Sequence, residues 1–165
     1  MGSRSGKKVR LVIYLAITLA IMVFIFVQSA LPAELSTAQS DPVESWIGGL
    51  IKLDPHTITL IVRKTAHFLE YLVLGLFVTL TVRELVIRRN SKQGTAEPFK
   101  TGLRRIGLIS WITGTAYAVS DEIHQYFVPG RSCEIKDMII DAAGVFIGVL
   151  IICLVTKRKT KRSNT

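Results

Sequence analysis

The chain has 165 residues, enough for one domain, and 49% of them are hydrophobic. Its mean hydropathy of +0.41 is high for a soluble protein of this size. The net charge of +9 alone would fit a nucleic-acid binder, but the charges lie in blocks between long apolar runs instead of a basic stripe interleaved with aromatic residues. These features exclude nucleic acid as the expected partner and predict a protein embedded in a lipid bilayer.

The first apolar run, Leu11 to Ala30, contains no charged residue and is about as long as a helix that crosses a hydrocarbon core. A cluster of basic residues precedes it, which is also typical of a signal peptide. However, the run is longer than a usual signal core, and Leu31-Pro32-Ala33 is a poor cleavage site. We therefore expect an uncleaved membrane anchor.

The segment after the first run predicts a short amphipathic helix. Asp41-Pro42-Val43-Glu44 has the pattern of a helix cap followed by a first-turn proline and a capping acid. Apolar residues then recur at helical spacing, namely Val43, Trp46, Ile47, Leu50 and Ile51. This helix would either lie on the outer membrane surface, with Trp46 at headgroup depth, or cap the helix bundle.

Three further spans are predicted, over about residues 57–82, 103–127 and 137–156. Asp54-Pro55 reads as an N-cap followed by a first-turn proline, and Pro129-Gly130 is a turn signal. The polar stretch from Asn90 to Lys100 is interpreted as a flexible loop, and residues 157–165 as a basic tail. The two cysteines, Cys133 and Cys153, are too far apart to pair.

The loop charges predict the orientation of the spans. Sixteen Lys and Arg residues precede the first span, join the second to the third or follow the fourth, and five lie in the other two connections. The positive-inside rule places the sixteen in the cytoplasm, together with Glu84 and Glu97. The expected fold is thus an all-α, multi-pass cell-membrane protein of one domain, with four transmembrane helices, both termini cytoplasmic and the amphipathic helix in the first outer loop.

Ionisable groups within or beside the apolar runs are the functional signal, because each is costly in lipid and must face a partner or a wet cavity. The topology places all of them in the outer half of the membrane, where we predict a ligand-binding pocket. Its residues are Arg63, Lys64, His67, Glu70, Tyr71, Asp121, Glu122, His124, Gln125, Arg131, Asp137 and Asp141. We call this set the outer polar cluster.

Three interpretations of this cluster remain open. It is a salt-bridge network in which Arg63, Lys64 and Arg131 neutralise the acids, a ligand-binding or catalytic site, or a metal site. No compact zinc-binding signature is present in the sequence, so we predict no metal and no cofactor. On the last span, Gly144 and Gly148 share a face and are interpreted as a site of close helix packing.

Several of these motifs, in this order, resemble those of the VanZ-like membrane proteins. The similar segments are Arg63-Lys64-x-x-His67-Phe68-x-Glu70-Tyr71, Ser120-Asp121-Glu122-x-His124-Gln125 with Pro129-Gly130-Arg131, Asp137-x-x-x-Asp141-x-x-Gly144-x-x-x-Gly148, and Gln28-Ser29. The resemblance covers Leu11 to Val155. It implies a cell-envelope membrane protein and, from the family's namesake, a link to resistance against the glycopeptide teicoplanin.

Two main functions follow as hypotheses. In the first, the pocket binds a lipid-linked wall precursor, another envelope lipid or a glycopeptide drug, with basic side chains contacting phosphate or carboxylate. In the second, the chain is an intramembrane hydrolase or transferase that acts on an envelope lipid. Its catalytic candidates are His67 and His124 as acid or base, with Glu70, Asp121 and Glu122 as orienting groups or nucleophile. A proton- or ion-coupled carrier is a third reading, with little room for a path among four helices.

Overall fold

The computed structural model describes residues 4–32, 42, 44–46, 49, 53–94 and 99–163. Four long helices make up most of this part. They are α1 (Arg4–Ser29), α2 (Pro55–Gln93), α3 (Phe99–Gln125) and α4 (Ile135–Ser163). Short connections join α2 to α3 and α3 to α4, so these three helices run antiparallel to one another in chain order.

The start of α2 is set by a helix cap, as the sequence predicted. Asp54 has extended backbone angles and accepts a hydrogen bond of 3.0 Å from the Thr57 amide, while Pro55 occupies the first turn. The hydrogen bonds from the Thr57 hydroxyl and amide hold the pKa of the Asp54 carboxyl below its ordinary value. At the other end Gly94 adopts a φ of 65°, which only glycine adopts readily, and terminates the helix.

All four helices extend beyond the predicted spans at one or both ends, and α1 begins at Arg4, before Leu11. Helix α2 continues to Gln93, so the first residues of the polar stretch that we interpreted as a loop, Asn90 to Gln93, are helical. Helix α4 begins at Ile135 and continues to Ser163, so most of the basic tail is helical as well. Helix α3 begins at Phe99 but ends at Gln125, two residues before the predicted end, because the chain turns there.

The core forms around α2, which packs against all three other helices and most extensively against α4. A buried cluster of apolar side chains fills this centre: Ile25, Tyr71, Leu74, Val78, Ala118, Val145 and Val149. Gly144 and Gly148 bring the α4 backbone close to α2, since a Cβ atom at Gly144 would lie 2.5 Å from the Phe68 carbonyl oxygen. The interpretation of these glycines as a packing site is confirmed.

The outer surface of the bundle is apolar. Large side chains such as Val12, Leu19 and Val23 on α1 are more than half exposed, which is typical of a surface that faces lipid. The segments Lys8–Ser29, Pro55–Ser91 and Ile135–Arg162 are long and apolar enough to cross a membrane. The chain therefore has the helices of a membrane protein, with three candidate spans among the described residues.

Part of the predicted amphipathic helix is described. Pro42, Glu44, Ser45, Trp46 and Gly49 are helical, and the Trp46 side chain is 69% exposed. Thr59 of α2 donates a hydrogen bond of 2.6 Å to Glu44, which ties the segment to the bundle. The apolar positions that defined the prediction, Val43, Ile47, Leu50 and Ile51, lie outside the described residues, as does the expected cap at Asp41.

Candidate functional site

The polar stripe of α3 faces α1. The Tyr117 hydroxyl donates a hydrogen bond of 2.6 Å to the Met22 carbonyl oxygen. One turn further along α3, Asp121 accepts hydrogen bonds from the Ser29 hydroxyl at 2.7 Å and from the Gln125 side-chain amide at 3.1 Å. Ser29, Asp121 and Gln125 are all buried. This network therefore fastens the end of α1 to α3 inside the bundle.

Arg131 extends the same network from the loop after α3. Its guanidinium donates to the Leu31 carbonyl at 3.0 Å, the Gln28 carbonyl at 3.2 Å and the Gln125 side-chain oxygen at 3.1 Å. The Gln28 carbonyl lies in the last turn of α1, where carbonyls lack helical partners, and the Leu31 carbonyl lies just beyond the helix. Burial lowers the pKa of the Arg131 guanidinium, and the positive charge of Arg63 acts in the same direction. An arginine nevertheless stays protonated at neutral pH, so Arg131 acts here as a charged cap.

A second set of contacts joins α2, α3 and the start of α4. Lys64 on α2 forms an ion pair with Asp137 in the first turn of α4. Glu122, also buried, accepts a hydrogen bond of 3.1 Å from the backbone amide of Glu134, just before α4 begins. Together these contacts fix where α4 starts relative to the two helices beside it.

Asp141 is the most buried acid of the outer polar cluster. Its side chain has no solvent exposure, and within the described part of the chain neither of its oxygens has a hydrogen-bond partner. The Tyr71 hydroxyl, itself a donor, lies beside the Asp121 carboxyl. The carboxyls of Glu122 and Asp121 lie within electrostatic reach of Asp141. The centre of the cluster thus contains one fully buried carboxyl, Asp141, without a donor among the described residues.

The remaining predicted residues divide into two groups. His67 and Glu70 are half-buried on α2 and lie within electrostatic reach of Asp121 and Arg131, and Arg63 acts on His67 as well. His124 instead stacks on Phe26 of α1, with ring centroids 4.4 Å apart. The structure therefore brings the two histidines to different neighbours, one to the acids and one to an aromatic ring on α1.

The comparison with protein families settles what kind of protein this is. A family model described as VanZ/LLP1 matches residues 12–156. The chain belongs to the VanZ-like family. The match to this VanZ-like chain covers the whole outer polar cluster and confirms the resemblance found in the sequence motifs. No curated protein and no solved structure matches this chain.

Sequence reasoning did not include α1 in the site. Gln28-Ser29 entered only through the family resemblance, whereas Ser29 is almost fully buried and donates a hydrogen bond to Asp121. The burial of Glu84 was also not predicted. Its side chain is buried between α1 and α2, with an oxygen 3.8 Å from the Arg10 guanidinium near the start of α1.

The described part of the bundle has a groove at each end. The first, of about 370 Å³, is lined by Leu60, Ile61, Lys64, Thr65, Phe68 and Ile140. It borders the outer polar cluster of the VanZ-like chain through Lys64. The second, of about 1130 Å³, lies at the other end of the bundle between α3 and α4. Among the described residues, no three His, Cys, Asp or Glu side chains converge as a metal site requires.

Proposed function

We propose that the VanZ-like chain crosses the membrane four times, with α3 as the additional span. Helix α3 has 27 residues, about 40 Å of helix, and packs against α2 and α4, both candidate spans. The short connections on either side reverse the chain direction each time. A helix of this length between two spanning neighbours crosses the bilayer with them, and its polar side chains are sheltered by α1.

The loop charges support a cytoplasmic location for both termini. Sixteen of the 21 Lys and Arg residues would then lie at the cytoplasmic ends of the helices. The outer polar cluster would lie in the opposite, outer half of the membrane, where it can meet molecules of the cell envelope.

The function that the geometry supports best is binding of a polar envelope ligand at the outer polar cluster. The observation that carries it is the fully buried Asp141 carboxyl, whose two oxygens have no hydrogen-bond donor within the described residues. An unsatisfied buried polar group costs free energy, more so where water is absent. A headgroup that supplies N–H or O–H donors would satisfy these oxygens. A lipid-linked wall precursor and a glycopeptide such as teicoplanin are the ligands that the family's name suggests.

Ligand binding fits these contacts better than a purely structural network or acid–base catalysis does. A purely structural network would pair its charges internally, and Asp141 is left unpaired within the described residues. Acid–base catalysis by both histidines would bring them to one reacting centre, whereas His124 packs on Phe26 and His67 lies within electrostatic reach of Asp121 and Arg131. The basic side chains contribute less than the sequence predicted, since Arg131 holds carbonyl groups and Lys64 holds Asp137.

Asp141→Asn tests the proposal. Purified protein in lipid nanodiscs is titrated with fluorescent teicoplanin and, separately, with a labelled lipid-linked wall precursor. We expect saturable binding of at least one probe, weakened about tenfold by Asp141→Asn, because the new amide places a donor where the ligand must donate, and a buried polar group left without a partner costs roughly 1–3 kcal/mol. Expression in a glycopeptide-sensitive host measures teicoplanin susceptibility in parallel.

Glu84→Gln is the matched control, since Glu84 is an equally buried acid on α2 whose side chain meets Arg10 of α1, away from the cluster. It should leave binding unchanged. Equal loss of binding in both variants would mean that removal of any buried charge disturbs the fold. Failure of both probes to bind, with teicoplanin susceptibility unaltered, would refute the proposed ligand class.

A further inference from the structure

The groove between α3 and α4 has apolar walls and lies at the end of the bundle opposite the outer polar cluster. Leu108 and Trp111 form one wall, and Leu150 lies on the other. All three remain exposed, and the Trp111 ring packs edge-on against Phe146, with ring centroids 6.3 Å apart. We call this feature the basic groove, because of its rim.

Positive charge surrounds the open end of the groove. Arg104 and Arg105 lie near the start of α3, and Lys157 and Lys161 lie one turn apart near the end of α4. All four are exposed, and the described lining of the groove includes no acidic residue. Charge of one sign at the mouth of an apolar channel favours an amphiphile with an anionic head.

The length of the groove matches half a bilayer. Phe146 and Lys157 are eleven residues apart on α4, or about 16 Å along the helix axis. Half of a hydrocarbon core about 30 Å thick is about 15 Å. An acyl chain of one leaflet could therefore extend along Leu150 to Phe146 while its phosphate stays level with Lys157.

We propose that the basic groove binds an anionic phospholipid of the leaflet on the side of the two termini. Arg104 and Lys157 contact the headgroup phosphate from the two sides of the rim, and one acyl chain lies against Trp111 and Phe146. This site is separate from the outer polar cluster and does not depend on its function. Clusters of basic residues at the end of a membrane helix attract anionic lipids by the same electrostatics.

Trp111 provides a direct probe of this proposal. The chain has two tryptophans, so in Trp46→Phe the fluorescence comes from Trp111 alone. The purified full-length variant is placed in phosphatidylcholine bilayers that contain increasing fractions of brominated phosphatidylglycerol or brominated phosphatidylcholine. Bromine atoms quench tryptophan on contact. We expect the anionic lipid to be preferred at least about fivefold at Trp111, since each basic residue near a lipid surface contributes about that factor.

Charge-removing variants test the assignment of the rim. Arg104→Gln with Lys157→Gln should lower the preference for the anionic lipid to less than about twofold. Arg88→Gln with Arg89→Gln, which removes the same charge from the end of α2, should keep it. Both substituted pairs are at least partly exposed, so neither should disturb folding, and circular dichroism checks this.

Three results would overturn the proposal. Equal quenching by the two brominated lipids would mean that the groove does not select an anionic head. Quenching by neither would mean that another protein chain covers the groove. An unchanged preference in the Arg104 and Lys157 double variant would assign the selectivity to other residues.

Discussion

Arg131 was predicted to contact acidic side chains, but its guanidinium instead donates hydrogen bonds to backbone carbonyls. The sequence placed it among carboxyl groups as a phosphate or carboxylate ligand, whereas it holds the carbonyls of Gln28 and Leu31 at and just beyond the end of α1 and the side chain of Gln125. Backbone acceptors at a helix end do not show in a side-chain pattern. The presence of a half-buried arginine at this place was therefore predictable, but its partners were not.

Arg131→Lys should lower the free energy of unfolding by about 1.5–3 kcal/mol, because an ammonium group cannot hold three acceptors in the fixed fork geometry of a guanidinium. Unfolding by sodium dodecyl sulfate from mild detergent micelles, followed by circular dichroism, measures the change. The control is Arg158→Lys, at an exposed position near the end of α4. The capping role is refuted if both variants unfold at the same detergent fraction as the unsubstituted protein.

At the scale of elements, the two glycines of α4 determine how closely it packs on α2. A Cβ atom at Gly148 would meet the Leu72 backbone carbonyl, which cannot move aside as a side chain can. At Gly107 on α3, a Cβ atom would lie 3.5 Å from the Cys153 sulfur, an ordinary contact. Position 148 therefore requires glycine, whereas position 107 does not.

Gly148→Ala should therefore destabilise the protein by about 1–3 kcal/mol through overpacking, whereas Gly107→Ala should have little effect or stabilise α3 slightly. The same detergent titration compares the two. Equal stability of the two alanine variants would contradict this prediction. The expected loss of stability comes from the clash with the Leu72 carbonyl and not from the removal of a glycine.

Helix ends were the least predictable feature at this scale. Apolar runs indicate which residues cross lipid, and they say little about where a helix stops in water. The polar residues Asn90 to Gln93 carry no helix-breaking signal, and α2 continues through them until Gly94. Where the sequence did hold a local stop or start, as at Asp54 and at Pro129-Gly130, the predicted boundary was close to the observed one.

At the scale of the whole molecule, the sequence predicted which helix ends carry the polar residues, because antiparallel helices bring the end of α3 and the start of α4 together. The network between α1 and α3 was not predictable in the same way. It depends on which face of α1 turns inward, and α1 offers few polar residues to indicate that face. Ser29 and Thr18 become informative only through their partners, Asp121 and Thr81.

The sidedness of the bundle decides whether the outer polar cluster meets envelope molecules, and the native cysteines allow a test. Cys133 is exposed in the loop before α4, next to the cluster, while Cys153 lines the basic groove. In Cys153→Ala, Cys133 should react with a membrane-impermeant maleimide on intact cells, because the four-span topology that we propose would place its loop outside.

Gly6→Cys and Lys159→Cys, each made in a chain with both native cysteines replaced, should react only after the cells are permeabilised. Both positions are exposed, so the new thiols are accessible once the reagent reaches them. Equal labelling before and after permeabilisation at either position would contradict a cytoplasmic terminus. If Cys133 alone required permeabilisation, the cluster would face the cytoplasm, and a ligand of the outer envelope would have no route to Asp141.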